Sequence, residues 1–215
     1  MPESFTDTPL LSERFDAALH YATRHHARQL RKGTPIPYAA HLLAVASLVL
    51  EMHGDEDEAI GALLHDVVED GGGSTALEDI RVRFGAAVAE IVLANSDSVD
   101  ERDPWWERKQ AYVDSFPAKS PAALRVSLAD KLHNARSILT DYRTHGDAVW
   151  ARFKQGQGIA TRIYYRELAL AFEREAPRMG DAALPYVGEL RLTVDAITAL
   201  AEDHQGPDSR AGFAG

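Results

Sequence analysis

The chain of 215 residues contains no cysteine. That excludes disulfides and thiolate metal sites, so any metal must be held by histidine, carboxylate and water. It also lacks any run approaching the roughly 18 uninterrupted apolar residues of a membrane span, and no membrane partner is expected. Basic residues are in deficit, 23 Lys and Arg against 33 Asp and Glu, for a formal net charge of -10. A nucleic-acid polymer, whose phosphates demand a basic field, is therefore an unsuitable partner. The N-terminal residues 1–7 show no basic-then-apolar pattern, so secretion is not indicated and a cytoplasmic location is expected. Period-2 strand patterns of useful length and internal repeats are missing too, and what remains reads as all-α.

What is present is a 45% hydrophobic chain, enough for one medium domain with a substantial core. Residues 1–11 read as an N-terminal tail, 12–203 as the domain with its C-terminal helices, and 204–215 as a disordered tail. A first helix opens at the capping residue Ser12 and is predicted to run to about Leu30. Gly33, Pro35 and Pro37 then impose a turn, and a second helix carries His41 from about Tyr38 to Leu50. A third stretch, Ala62 to Asp70, is read as helix up to a Gly71-Gly72-Gly73 stop. Ser74-Thr75 with Glu78 resembles a capping box for a short helix to Phe84, and Ala86 to Leu93 forms the next. Trp106 to Phe116, Ser120 to about Tyr142, Ile159 to about Glu175 (ended by Pro177) and Leu184 to Glu202 complete the series.

Chemistry gathers in His65-Asp66-Val67-Val68-Glu69-Asp70. On a helix, His65 and Glu69, and likewise Asp66 and Asp70, fall at i, i+4, which crowds four polar groups on one side between apolar flanks. Three carboxylates so close call for a cation, and imidazole with carboxylate suits a divalent ion. His65 and Asp66 alone supply too few ligands. His41 and Asp130 are polar residues stranded among apolar ones, and Asn134, at i+4 from Asp130, shares its face, although singly a core histidine or an ion-paired aspartate is the commoner explanation.

The ordered set Arg31-Lys32-Gly33-Thr34-Pro35-x-Pro37-Tyr38-x-x-His41, His65-Asp66-x-x-Glu69-Asp70, Phe84-Gly85-x-x-Val88 and Leu128-Ala129-Asp130-Lys131-Leu132-His133-Asn134 resembles the HD superfamily of metal-dependent phosphohydrolases. Within it, the set looks like the hydrolase domain of RelA/SpoT homologues, especially the small stand-alone alarmone hydrolases. The resemblance spans about Phe15 to Phe172 and implies an HD helical bundle of about eight to ten helices. It implies that His41, His65, Asp66 and Asp130 bind a metal, most often Mn²⁺, with Fe²⁺, Zn²⁺ or Co²⁺ as alternatives. Glu69 and Asp70 match the acidic pair that positions or deprotonates the attacking water. Arg31, Lys32 and Asn134 match nucleotide contacts, Arg108 and Lys109 a basic pair near the pyrophosphate end, and Arg162 and Tyr164 fall near substrate contacts.

The activity so implied is 3′-pyrophosphohydrolysis of guanosine or adenosine 3′,5′-polyphosphates, (p)ppGpp among them, in the stringent response. Leu42 after His41, the triple glycine after Asp70, the Asn95–Ser98 loop and Trp105-Trp106 depart from the pattern and bear on substrate identity. Another phosphorylated nucleotide (NADPH at its 2′-phosphate, or a nucleoside monophosphate) and a non-enzymatic helical module with a relict metal site are the competing readings. Residues 173–215 are too few for a synthetase domain, so none is expected. Oligomeric state stays open, a homodimer among the options.

Overall fold

A computed structural model describes residue 6 and residues 8–96, 104–153 and 158–205. Of the end expected to be disordered at 204–215, residues 204–205 continue the last helix and 206–215 lie outside the described residues, as do residues 97 and 98 of the Asn95–Ser98 loop. Nine α-helices account for nearly all of what is described. The only extended pairing among the described residues is an isolated antiparallel bridge between Leu30 and Pro37. The helices are α1 Glu13–His25, α2 Ala39–Glu51, α3 Glu56–Leu64, α4 Gly73–Phe84, α5 Ala86–Asn95, α6 Trp105–Asp114, α7 Pro121–His145, α8 Ile159–Met179 and α9 Leu184–Gln205. No helix among the described residues is long and apolar enough to cross a membrane. The chain divides into two compact units, Met1–Val99 with Lys119–Ala129 and Asp100–Ala118 with Asp130–Gly215.

The first unit is built around α3. Asp55 caps it by accepting from the Glu58 amide at 2.9 Å, and every residue from Glu58 to Leu64 is buried. A helix apolar on all sides belongs inside, and α3 packs against α1, α2 and α5. The approach to α5 depends on Gly61, because a β-carbon there would lie 2.6 Å from Ile91 Cγ2. Glu58, buried beside this core, is paired with Arg125 of α7, whose Nε donates to Glu58 Oε2 at 2.7 Å. Burial of a charge is tolerable only with such a partner. Asn95, also buried, accepts from Ser127 Oγ at 2.6 Å and donates to the Ile91 and Ala123 carbonyls.

The second unit holds α6, the rest of α7, α8 and α9, with α8 packed against both α6 and α9. One of its clusters joins Ile138, Tyr142, Val149, Trp150, Ile197 and Ala201. Tyr142 Oη donates to Asp147 Oδ1 at 2.6 Å. Burial first, and the Asp147 carboxylate second, push the Tyr142 pKa up to about 12.

Four predicted boundaries are corrected. Helix α1 stops at His25 rather than near Leu30, since the following turn frees Leu30 to pair with Pro37 and lets the Gln29 carbonyl accept from the Tyr38 amide at 2.9 Å. Helix α3 stops at Leu64, so Ala62 to Asp70 is not one helix. A wider turn over Val68–Gly72 carries non-helical Asp70 (ψ 37) and Gly71 (φ 104), a left-handed conformation that glycine alone adopts freely. No capping box forms at Ser74 or Thr75, because α4 already begins at Gly73 behind the glycine turn and uses no side-chain cap. Pro177 lies within α8, which continues to Met179. A proline in the last turn forfeits one hydrogen bond, and the reversal falls at Gly180 (φ 87).

Candidate functional site

Two helix ends in the first unit deliver the central residues. The turn of residues 30–37 is closed by the Arg31 amide donating to the Ile36 carbonyl at 2.8 Å, and the chain then enters α2 at Ala39. This places His41 in the first turn of α2. Helix α3 delivers His65 at its C-terminal end. There the His65 Nδ1 is 2.7 Å from the Ala62 carbonyl, and because a carbonyl only accepts, Nδ1 carries a proton and Nε2 is the ring's coordinating face.

Three ligand atoms, one each from His41, His65 and Asp66, lie within 4.8 Å of one another. Asp66 Oδ2 is 3.0 Å from His65 Nε2 and 3.5 Å from His41 Nε2, and the imidazole centroids are 5.2 Å apart. Both histidines are buried and the aspartate nearly so. Acceptor atoms facing each other at this range need a proton or a cation between them. Burial raises the Asp66 pKa, but the His65 and His41 imidazoles outweigh it and hold the carboxyl well below its ordinary value. Tyr38 Oη also donates to Asp66 Oδ2, at 2.6 Å. The donor set, its fixed imidazole and its buried carboxylate fit a divalent cation.

The acidic pair lies on the turn that follows. Glu69 and Asp70 are both exposed. Asp70 Oδ2 accepts from Gln29 Nε2 at 2.7 Å, and Gln29 Oε1 is in turn 2.6 Å from His26 Nδ1. Arg31 and Lys32 occupy the 30–37 turn, with Arg31 half-buried and Lys32 exposed.

The remaining predicted residues belong to the second unit. Both oxygens of Asp130 are engaged there, Oδ2 by Lys131 Nζ at 2.6 Å and Oδ1 by Asn134 Nδ2 at 2.5 Å. The predicted shared face of Asp130 and Asn134 is therefore realised as a direct hydrogen bond. Burial lowers the Lys131 pKa, yet Asp130, with Tyr112 and Tyr164 behind it, more than compensates and holds the ammonium well above its ordinary value. Lys131 Nζ also stands 4.8 Å over the Tyr112 ring. Tyr164 is buried edge-on against Trp105, with Lys109 Nζ 5.6 Å from its ring centre, and Arg108 is half-buried on the same helix α6. Arg162 takes another direction. It lines a small cavity with Ile138, Trp150, Tyr165 and Ile197, about 200° around α8 from Tyr164.

The family model for the HD domain matches residues 18–160, well over half of the chain. The chain belongs to the HD-domain family. It is 40% identical to human MESH1, a guanosine-3′,5′-bis(diphosphate) 3′-pyrophosphohydrolase, over 126 residues that cover 56% of this chain and 67% of the relative. A Haemophilus influenzae protein of the same designation is 37% identical over 110 residues, 47% of this chain and 15% of the relative. A GTP pyrophosphokinase of Streptomyces coelicolor is 30% identical over 211 residues, 92% of this chain and only 24% of the relative. Among solved structures, a metazoan ortholog of SpoT described as hydrolysing ppGpp superposes with a TM-score of 0.67 at 26% identity, covering 90% of this chain and 97% of that one. A Listeria monocytogenes structure gives 0.61 at 26% identity, over 74% and 99%.

The sequence grouped His65 and Asp66 with His41, and the structure brings the three side chains together. Tyr38, Gln29 and His26 were not given roles, although Tyr38 stands three residues before His41 inside a motif already singled out.

Proposed function

We propose that this HD-domain chain is a metal-dependent 3′-pyrophosphohydrolase of guanosine 3′,5′-bis(diphosphate) and related alarmones, acting in the cytoplasm. The observation that carries the proposal is the convergence of His41 Nε2, His65 Nε2 and Asp66 Oδ2, with the His65 tautomer fixed by the Ala62 carbonyl. The substrate assignment is supported by relatives and a structural neighbour bearing that activity in their names.

In this reading His41, His65 and Asp66 hold a divalent ion, Mn²⁺ by preference, and Asp130 is the fourth ligand. Such an ion, when bound, polarises a phosphoryl oxygen and lowers the pKa of a coordinated water. Glu69 and Asp70 orient the attacking water and take its proton. Water adds to the phosphorus attached to the ribose 3′-oxygen, the bond from that phosphorus to the 3′-oxygen breaks, and the 3′-oxygen leaves protonated as a hydroxyl. The products are a nucleoside 5′-diphosphate and pyrophosphate. Arg31 and Lys32 serve the nucleotide by guanidinium stacking and charge. Asn134, Arg108, Lys109, Arg162 and Tyr164 are the substrate contacts proposed for the second unit.

Incubating Mn²⁺-loaded protein with a panel of nucleotides, and identifying the products, tests this directly. Guanosine 3′,5′-bis(diphosphate) should yield GDP and pyrophosphate, and Glu69→Gln should lose on the order of 10²-fold or more in rate, the usual contribution of a positioned base. Release of phosphate from NADPH or a monophosphate, with the alarmone untouched, would reassign the substrate.

A further inference from the structure

His26 is 3% exposed although it stands at the end of a surface helix. Its ring stacks on Tyr38, centroids 5.0 Å and planes 26° apart, and Tyr38 is the residue whose hydroxyl donates to Asp66. On its other side Nδ1 meets Gln29 Oε1 at 2.6 Å, and Gln29 Nε2 donates to Asp70 Oδ2 at 2.7 Å. The directions of these bonds are forced. A carboxylate accepts, so Gln29 turns its amide nitrogen to Asp70 and its carbonyl to His26. A carbonyl accepts, so His26 donates from Nδ1. Gln29 is pinned by its main chain as well, donating to the His26 carbonyl at 3.0 Å and accepting from the Tyr38 amide at 2.9 Å.

Asp70 has need of such a tether. Its ψ of 37 takes it out of helical geometry, Gly71 follows at φ 104, and its side chain is 33% exposed. A carboxylate on an exposed glycine turn populates several rotamers, and each turnover would bear the entropy of selecting one. The Gln29 bond selects it in advance.

We propose that Gln29 and His26 are positioning residues for the hydrolysis, Gln29 holding Asp70 and His26 orienting both Gln29 and, through the stacked Tyr38, the ligand Asp66. One imidazole thus sets the two carboxylates that serve the ion and the water. The proposal rests on the hydrolase reading above, and neither residue belongs to the His41–His65–Asp66 donor set.

Steady-state kinetics of the Mn²⁺-loaded full chain on guanosine 3′,5′-bis(diphosphate) provides the test. Gln29→Leu keeps the volume and removes both hydrogen bonds. Its kcat should fall about 10- to 100-fold, the range for residues that orient a site from behind, with KM and Mn²⁺ content unchanged at a temperature where the variant is fully folded. His26→Asn retains a donor in the place of Nδ1 and should recover most of the kcat that His26→Ala loses. Wild-type kcat in Gln29→Leu would overturn the proposal, as would equal kcat loss in His26→Asn and His26→Ala at equal Tm. If the wild type released no pyrophosphate, the hydrolase reading would fall on its own. The tether would then be judged by the Gln29 side-chain amide resonances, which Asp70→Asn should shift and which, if unmoved, would refute it.

Discussion

Asp66 and Asp130 are the same residue type in similar apolar sequence settings, yet they live in opposite electrostatic surroundings. Asp66, in the first unit, faces the Nε2 atoms of two buried histidines and one tyrosine hydroxyl. None of these carries a permanent positive charge, so the carboxylate is compensated only when a proton or a metal ion enters. Asp130, in the second unit, already has its cation in Lys131, and Asn134 takes its other oxygen. The first arrangement is poised for an ion, and the second is closed as a pair. The difference teaches that a neighbouring ammonium compensates a carboxylate in advance, whereas a carboxylate without one still calls for a cation.

Substitutions can break that contrast. The largest effect is expected from Asp66→Ala, which should abolish Mn²⁺ binding and lower the hydrolysis rate on the order of 10³-fold, matching the several kcal/mol a polarising cation supplies. Metal analysis and rate measured on one preparation check it. Next, Asp130→Ala should destabilise even the metal-free protein by about 3 kcal/mol, because it leaves a largely buried Lys131 without its partner. Urea unfolding in chelator measures this, and an unchanged midpoint would make Asp130 a ligand with no structural duty. Chelation of the wild type should in turn remove the linkage stabilisation, about 2.7 kcal/mol when the free ion stands 100-fold above its Kd, seen as a lower Tm.

The smallest effect concerns pH. Burial lowers the His26 pKa, with the Gln29 bond opposing in part. The unfolded chain therefore takes up a proton near the ordinary imidazole value of 6.5 while the folded chain does not. The stability held above that pH is lost as the pH falls below it, toward the depressed folded value. His26→Asn should flatten this part of the Tm-against-pH curve, and curves of equal slope would contradict the assignment.

The helices and the grouping of His41, His65 and Asp66 were legible in the sequence because both write themselves locally. Helical periodicity marks each buried face, and His41, His65 and Asp66 are polar residues set in apolar runs. What stayed hidden depends on non-local geometry. Nothing in Ala62–Asp70 announces that α3 stops at Leu64, since His65 and Val67 keep helical torsions and the non-helical ones fall at Asp70 and Gly71. The Gln29–Asp70 contact joins residues 41 apart through a short turn, and no periodicity encodes it. Likewise Arg162 and Tyr164 are neighbours in sequence with different destinations. The aromatic packing of Tyr164 on Trp105 and the cavity beside Trp150 separate them, and only tertiary structure reveals which goes where.

The central claim is that the His41–His65–Asp66 constellation powers alarmone hydrolysis. Its most direct test is pyrophosphate release from guanosine 3′,5′-bis(diphosphate) by metal-stripped protein titrated with Mn²⁺, wild type beside Asp66→Ala. Wild-type activity should rise with Mn²⁺ occupancy to one ion per chain, while the variant should stay on the order of 10³-fold slower at every concentration. Stoichiometric Mn²⁺ binding with an intact nucleotide, or equal turnover by the variant, would contradict it.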